Sequence, residues 1–322
     1  MVAYSLINSK EIWNSEIIKN TNFNPYQIYE WGEYKKHFAW NVISVKANNN
    51  GKIGYFQLTY KKKLNIFVGW GIGSISGEIG GFEKEAFIDF IKKQFSVKYV
   101  LVKSSFTNIL DFNDSISLYS ANWQKSCKKI NSDYTIYVDL KKSEDELLME
   151  CSTNFRKNIK RGIQNNSSIK VKKLAQYEES DIINLFDRFK EIKDVLLPNK
   201  DELIQIKKCL GESIFVATSQ IENQIVGLRA FLYHENKALD FWATTDLIGR
   251  KNYTSFVLLF ELFKKAKEID IESYDMSGID PINNPTGFSF KNGLRAQIVE
   301  KLGEWEISNS KWLSFLVNKV YL

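Results

Sequence analysis

One order of elements occurs twice in this chain, and it limits the folds available. Residues 64–70 ("LNIFVGW") read as a strand, followed by the Gly-rich loop "GIGSISGEIGG", a helix near 82–94 and a buried strand at 97–103. About 170 residues later the order returns: strand 237–243, loop "TTDLIGRKN", the nearly all-apolar helix 253–266 and strand 271–277. Strand–helix–strand units in one sheet make right-handed parallel crossovers. Each is fed by strand-like runs that pair antiparallel, 40–46 and 52–60 in the first half, 213–219 and 223–234 in the second. Antiparallel strands feeding a parallel crossover give a mixed sheet. The expectation is an α+β chain of two similar domains, each a mixed β-sheet flanked by helices.

Other elements fit around these. Helices are predicted over 9–20 and 25–36, with a hairpin turn at "NNNG", 48–51. Strand 134–140 precedes a helix over 143–161, which opens on a Ser143–Glu146 capping box. Helices at 177–193 and 200–210 follow, and "YHENK" around His234 reads as a turn. Residues 296–307 read as a strand broken at Gly303, and "KWLSFLVNKVYL" closes the chain as a helix. The predicted first domain is 1–141 plus the terminal helix 309–322, and the second is 142–308.

Composition narrows the chemistry. Of 322 residues, 44 are Lys or Arg and 38 Asp or Glu, a net +6 that suits an anionic substrate or tRNA but is more often simply that of a lysine-rich protein. The three cysteines, Cys127, Cys151 and Cys209, are scattered, so a disulfide framework or zinc site is not expected and a reducing cytoplasm fits. With only His37 and His234, a histidine-based metal centre or triad has little material. The first residues lack the pattern of a signal peptide, and no run approaches the ~20 apolar residues of a membrane span.

Four stretches can carry chemistry. On a helix over 151–164, Leu148, Cys151, Phe155 and Ile159 form an apolar stripe, and Arg156, Lys157, Lys160 and Arg161 share another face that would attract a phosphate. In "EWGEYKK", Lys35 lies one turn after Trp31 and reaches either a cleft or solvent. In "SYDMSGID", Tyr274 and Asp275 stand near the end of a crossover strand, where binding loops gather; Asp275 is a base or a turn cap. In "GFSFKNGLRAQ", alternation puts Phe288 and Phe290 on one face and Lys291 on the other, as in an edge strand. A lysine held among aromatics would act strongly on a nearby anion or oxyanion.

Taken in order, "EWGEYKK", "NFRKNIKRGI" and "YDMSGID…GFSFKNGLRAQIVEKLGEWEI" resemble the FemABX family of peptidoglycan bridge aminoacyltransferases, built from two tandem GNAT-like domains. The tail is the most specific part. The resemblance implies an acyltransferase moving an aminoacyl group from aminoacyl-tRNA to an amino group of a peptidoglycan precursor, with no cofactor. It implies Lys291 as the residue stabilising the developing charge, with Phe290 beside it. Lys35 would contact substrate phosphate. Arg156, Lys160 and Arg161 would form the basic segment, and Tyr253 would contact substrate.

Some positions depart from the family pattern. Ser104 and Ser105 stand where members can carry a carboxylate, and Leu294 replaces a second aromatic after "FK". Donor and acceptor therefore stay open. One alternative is a CoA-dependent N-acetyltransferase acting on an amino sugar or nucleotide-sugar, although "DLIGRKN" does not complete that family's phosphate loop. Another is a non-catalytic scaffold of envelope assembly. Trp312, Phe315 and Leu316 share a helix face that suits either a peripheral membrane contact or packing onto the first domain.

Overall fold

The structure, a computed structural model, describes residues 2–166, 168–193 and 196–320. It divides into two compact units, Met1–Tyr134 with Val299–Leu322, and Thr135–Ile298.

In the first unit, strands Ala3–Leu6, Asn41–Asn49, Lys52–Lys63 and Ile66–Ile72 pair antiparallel in sequence order. Ile66–Ile72 then pairs parallel with Tyr99–Ile109, across the crossover helix Lys84–Phe95. That helix starts where the Glu83 carboxylate accepts the N–H groups of Glu85 and Ala86, and it buries Phe87, Ile88 and Ile91 at core-facing spacing. The hairpin at 48–51 forms as expected, with Asn50 and Gly51 both at positive φ, the geometry of a two-residue turn that follows strand twist. Phe56, Phe82, Phe87, Phe106, Trp123 and Trp305 fill the core.

In the second unit the sheet order is Tyr134–Asp139, Ser273–Gly278, Lys237–Thr245, Gln224–His234, Ile214–Ile221 and Ser168–Lys173. The parallel pair is Lys237–Thr245 with Ser273–Gly278, joined by helix Thr254–Glu268. The repeated strand–helix–strand order thus produces two mixed sheets of the same design.

Several expectations are corrected. The boundaries at 141/142 and 308/309 move, because two strands sit in the other sheet. Tyr134–Asp139 pairs with Ser273–Gly278, whereas residues 301–308 of Gln297–Ser308 pair with Tyr99–Ile109. Gly303, at φ +76, makes a bulge in that strand and does not end it. The helix expected over 143–161 is two, Glu144–Glu150 and Thr153–Asn165. Cys151 turns extended between them, Ser152 caps the second helix on Phe155 N–H, and Ser152 N–H donates to the Gly293 carbonyl at 2.8 Å. The helix over 25–36 splits at Ile28 into a short turn Pro25–Gln27 and helix Tyr29–Lys36. Residues 288–291 are no edge strand but part of helix Pro285–Asn292, which opens on an Asn284 cap with proline at its first position. Strands Ala3–Leu6 and Ser168–Lys173 and helix Phe112–Ser120 escaped the sequence reading. The terminal helix, Lys311–Val320, packs on the first unit through Leu313 and Val317; residues 321–322 lie outside the described residues.

Lys237 gives the second unit a pH dependence. Burial lowers its ammonium pKa from 10.5 to about 8. Between these values the unfolded chain binds more protons than the folded one, so stability rises with pH. Lys237→Met is expected to be more stable at pH 7 by on the order of 1–3 kcal/mol. It should also lack the wild-type gain between about pH 8 and 10, as urea titrations across that range would show.

Candidate active site

Strand Lys237–Thr245 ends at Asp246, whose carboxylate accepts Gly249 N–H at 2.9 Å and so shapes the short helix Leu247–Lys251. The chain then passes through Tyr253 into helix Thr254–Glu268. Tyr253 holds φ 58, a costly conformation for an aromatic residue. Its own side chain does not cap the helix it opens, and Tyr253, Thr254, Ser255 and Phe256 line an open cleft of about 1380 Å³ within the second unit. The positive end of the helix dipole therefore faces the cleft.

Helix Pro285–Asn292 forms another wall, with Phe290 and Lys291 on it. Lys291 is half-buried, and its Nζ donates to the Gly278 carbonyl at 2.8 Å and the Ser277 carbonyl at 3.4 Å. Ser277 is itself left-handed, φ 61, where the sheet register shifts between Asp275 and Gly278. Arg295, on the cleft wall, is left-handed as well, φ 55. Strained backbone of this kind, kept by surrounding structure, clusters at functional sites.

The cleft floor was not foreseen. Arg229 and Asp240 are both buried, and one guanidinium nitrogen of Arg229 donates to both carboxylate oxygens, at 3.0 and 2.9 Å. Arg229 also reaches Ser255 Oγ at 3.0 Å and lies 5.0 Å over the Phe290 ring, while its Nε has no hydrogen-bond partner among the described residues. Phe155, Phe256 and Phe290 meet around it, with ring centroids 4.9–5.3 Å apart. A polar pair separated by more than ten residues on adjacent strands leaves no local spacing signal. The described lining residues carry Lys193, Arg229, Arg250, Lys291 and Arg295 against one carboxylate, Asp240, already bound to Arg229. The cleft is thus a cationic, aromatic-walled pocket suited to an anion or a developing oxyanion.

The expected site residues fare differently. Lys291, Phe290 and Tyr253 come together in the cleft. Arg161 donates to Tyr253 Oη at 3.1 Å and covers its ring, so the basic helix does reach the rim. Lys160 is exposed on that helix. Arg156 is turned to the backbone: its guanidinium binds the Met149 and Cys151 carbonyls, both at 2.7 Å, and closes the preceding helix. Tyr274 is fully buried and donates to Asp240 at 3.4 Å, so it supports the floor and does not touch the cleft surface. Asp275, expected as a base or a turn cap, is buried too and takes the second part. It accepts from the Thr135 hydroxyl and from Ser277 N–H at 2.8 Å, and, with burial, raises the Tyr137 phenol pKa. That carboxylate joins two strands and shapes the loop holding Lys291. Lys35 belongs to the first unit, its ammonium 5.0 Å over the rings of Trp31 and Tyr34.

In the first unit, Ser105 bonds a carboxylate that the local sequence lacked. Glu304, from the neighbouring strand, accepts from Ser105 Oγ at 2.6 Å and from Asn131 N–H at 3.2 Å, and burial raises its pKa.

Gly293 explains the glycine behind Lys291. A Cβ there would stand 2.6 Å from Phe155 Cδ2. Gly293→Ala is expected to displace the Phe155–Phe290 contact and cost about 1–3 kcal/mol. Chemical denaturation would measure this, and a cost below ~0.5 kcal/mol would show that the ring yields freely.

These observations define a class of fold: two mixed sheets with parallel crossovers, the tandem GNAT-like arrangement. No family model and no curated protein sequence matches the chain. Solved structures do. FemX matches with a TM-score of 0.81 at 14% identity, over 98% of this chain and 100% of that one. The C-terminal domain of a putative lysylphosphatidylglycerol synthetase from Agrobacterium fabrum matches with a TM-score of 0.59 at 10% identity, over 95% and 93%. A tandem GNAT protein from the clavulanic acid biosynthesis pathway matches with a TM-score of 0.58 at 9% identity, over 96% and 99%. The likeness is one of fold, and it extends along essentially the whole chain.

Proposed function

We propose that the protein is an acyltransferase that moves an aminoacyl group from aminoacyl-tRNA to an amino group of a cell-envelope precursor, with chemistry in the cleft of the second unit. The observation that supports this most is the placement of Lys291: half-buried, anchored on the Gly278 and Ser277 carbonyls, and facing the same cleft as the uncapped start of helix Thr254–Glu268. The acceptor's neutral amine attacks the ester carbonyl and forms the C–N bond. Negative charge develops on the carbonyl oxygen, where the Lys291 ammonium and the helix N-terminus stabilise it. As the oxyanion collapses, the C–O bond breaks and the amine's proton passes to the leaving ribose hydroxyl. Arg229, paired with Asp240 and bonded to Ser255, holds the floor and the Phe290 ring in place, and Phe155, Phe256 and Phe290 exclude water.

A second reading, an acyl-CoA donor, is favoured by the uncapped helix start beside Arg250, a natural seat for a pyrophosphate. Native mass spectrometry after incubation with charged tRNA or with acyl-CoA separates the two. Retention of charged tRNA is the expected result, and retention of acyl-CoA alone would move the donor. Retention of neither would favour a scaffold without transferase activity.

A further inference from the structure

The terminal helix Lys311–Val320 has two apolar faces. Leu313 and Val317 are buried against Leu101, beside Ile66, Val68, Trp70 and Tyr99. Trp312, Phe315 and Leu316 remain 44, 62 and 45% exposed, although the Trp312 ring also touches Tyr99. The helix carries no carboxylate, and Lys311 and Lys319 stand exposed near its ends.

A second element adds to this surface. Leu64, between strands Lys52–Lys63 and Ile66–Ile72, is 84% exposed and holds φ 51. Left-handed backbone ordinarily selects glycine or asparagine, so a leucine here takes on strain with no burial in return. The next residue, Asn65, accepts through its carbonyl the N–H groups of Lys98 and Tyr99, both at 2.9 Å, and the Tyr99 ring meets Trp312 edge-on at 5.2 Å. The turn and the terminal helix are thus neighbours. Lys61 pairs with Val68 and Lys63 with Ile66. Cross-strand partners project to one face, so both lysines share the sheet face on which the helix lies. Among the described residues, Lys61, Lys63, Lys98, Lys311 and Lys319 form no ion pair.

We propose that this face of the first unit docks on an anionic lipid bilayer. Leu64, Trp312, Phe315 and Leu316 enter the headgroup–acyl boundary, and the surrounding lysines lie over lipid phosphates. Charge complementarity selects this occupant. A second copy of the same face would set lysines against lysines, since a two-fold interface is self-complementary. A nucleic-acid backbone would use the lysines but give an exposed leucine and phenylalanine nothing to enter. The proposal does not depend on acyl transfer, and its test needs no turnover.

Vesicle flotation of the full chain tests it. The protein is expected to float with vesicles of phosphatidylcholine and phosphatidylglycerol in equal parts, less so as salt rises, and not with phosphatidylcholine alone. Leu64→Asn combined with Phe315→Ser should reduce binding at least about tenfold. Asparagine tolerates the left-handed turn, so an unchanged melting temperature is expected. Lys61→Glu with Lys63→Glu should weaken binding similarly at low salt. The proposal is overturned if the wild type does not float, or if the variants float like the wild type. A dimer that Phe315→Ser separates, or retention of tRNA without vesicle binding, would also overturn it.

Discussion

Lys291→Ala is expected to lower kcat by at least about a hundredfold, the loss seen when one oxyanion donor is removed. Thermal stability should move little, within ~0.5 kcal/mol, because Lys291 is only half-buried and water can reach the carbonyls it leaves. Lys291→Arg keeps the charge but not the compact ammonium between Ser277 and Gly278, so it should recover part of the rate. Single-turnover kinetics on an identified donor would read both. Wild-type turnover in Lys291→Ala would remove Lys291 from the chemistry.

The second large effect falls on the floor. Asp240→Ala leaves Arg229 as a buried charge without its carboxylate, and the expected cost is about 3–5 kcal/mol. Tyr274 loses its hydrogen-bond acceptor in the same variant. Replacing the pair together, Arg229→Met with Asp240→Leu, should recover most of that stability, since an apolar pair carries no desolvation penalty. The double variant should still be impaired in transfer, because the guanidinium that holds Ser255 and the Phe290 ring is gone. Urea unfolding of both proteins measures this, and a cost under ~1 kcal/mol for Asp240→Ala would show that solvent reaches Arg229.

Local patterning made much of the fold legible. The crossover units were readable because helices 84–95 and 254–268 carry apolar stripes between strand runs, a signal contained within each segment. What failed was pairing at a distance. Nothing near residues 134–140 or 297–308 says which sheet each strand joins, and that choice moved both domain boundaries. The segment 285–292 misled for another reason. Its Phe288–Phe290 alternation mimics a strand, whereas the asparagine cap and following proline are helix-start signals that should have outweighed it.

The site divides similarly. Lys291 and Phe290 stand out through residues close in sequence and Tyr253 through the resemblance, and the structure brings the three to one cleft. Arg229 and Asp240 were missed because they meet only across neighbouring strands. The chemical role of Asp275 rests on its place near a strand end, and that of Arg156 on its spacing along a cationic helix face and on the resemblance. In the structure the first ties Thr135 and Ser277 together, and the second closes a helix on Met149 and Cys151.

Transfer of a radiolabelled acyl group tests the central claim most directly. Wild-type protein, a panel of labelled aminoacyl-tRNAs and a soluble amine-bearing envelope precursor would be mixed, and label in an amide on the precursor followed in a single turnover. The account predicts label on the acceptor amine with wild type and its near absence with Lys291→Ala. Equal transfer by both proteins, or no transfer from any charged tRNA or acyl-CoA, would contradict it.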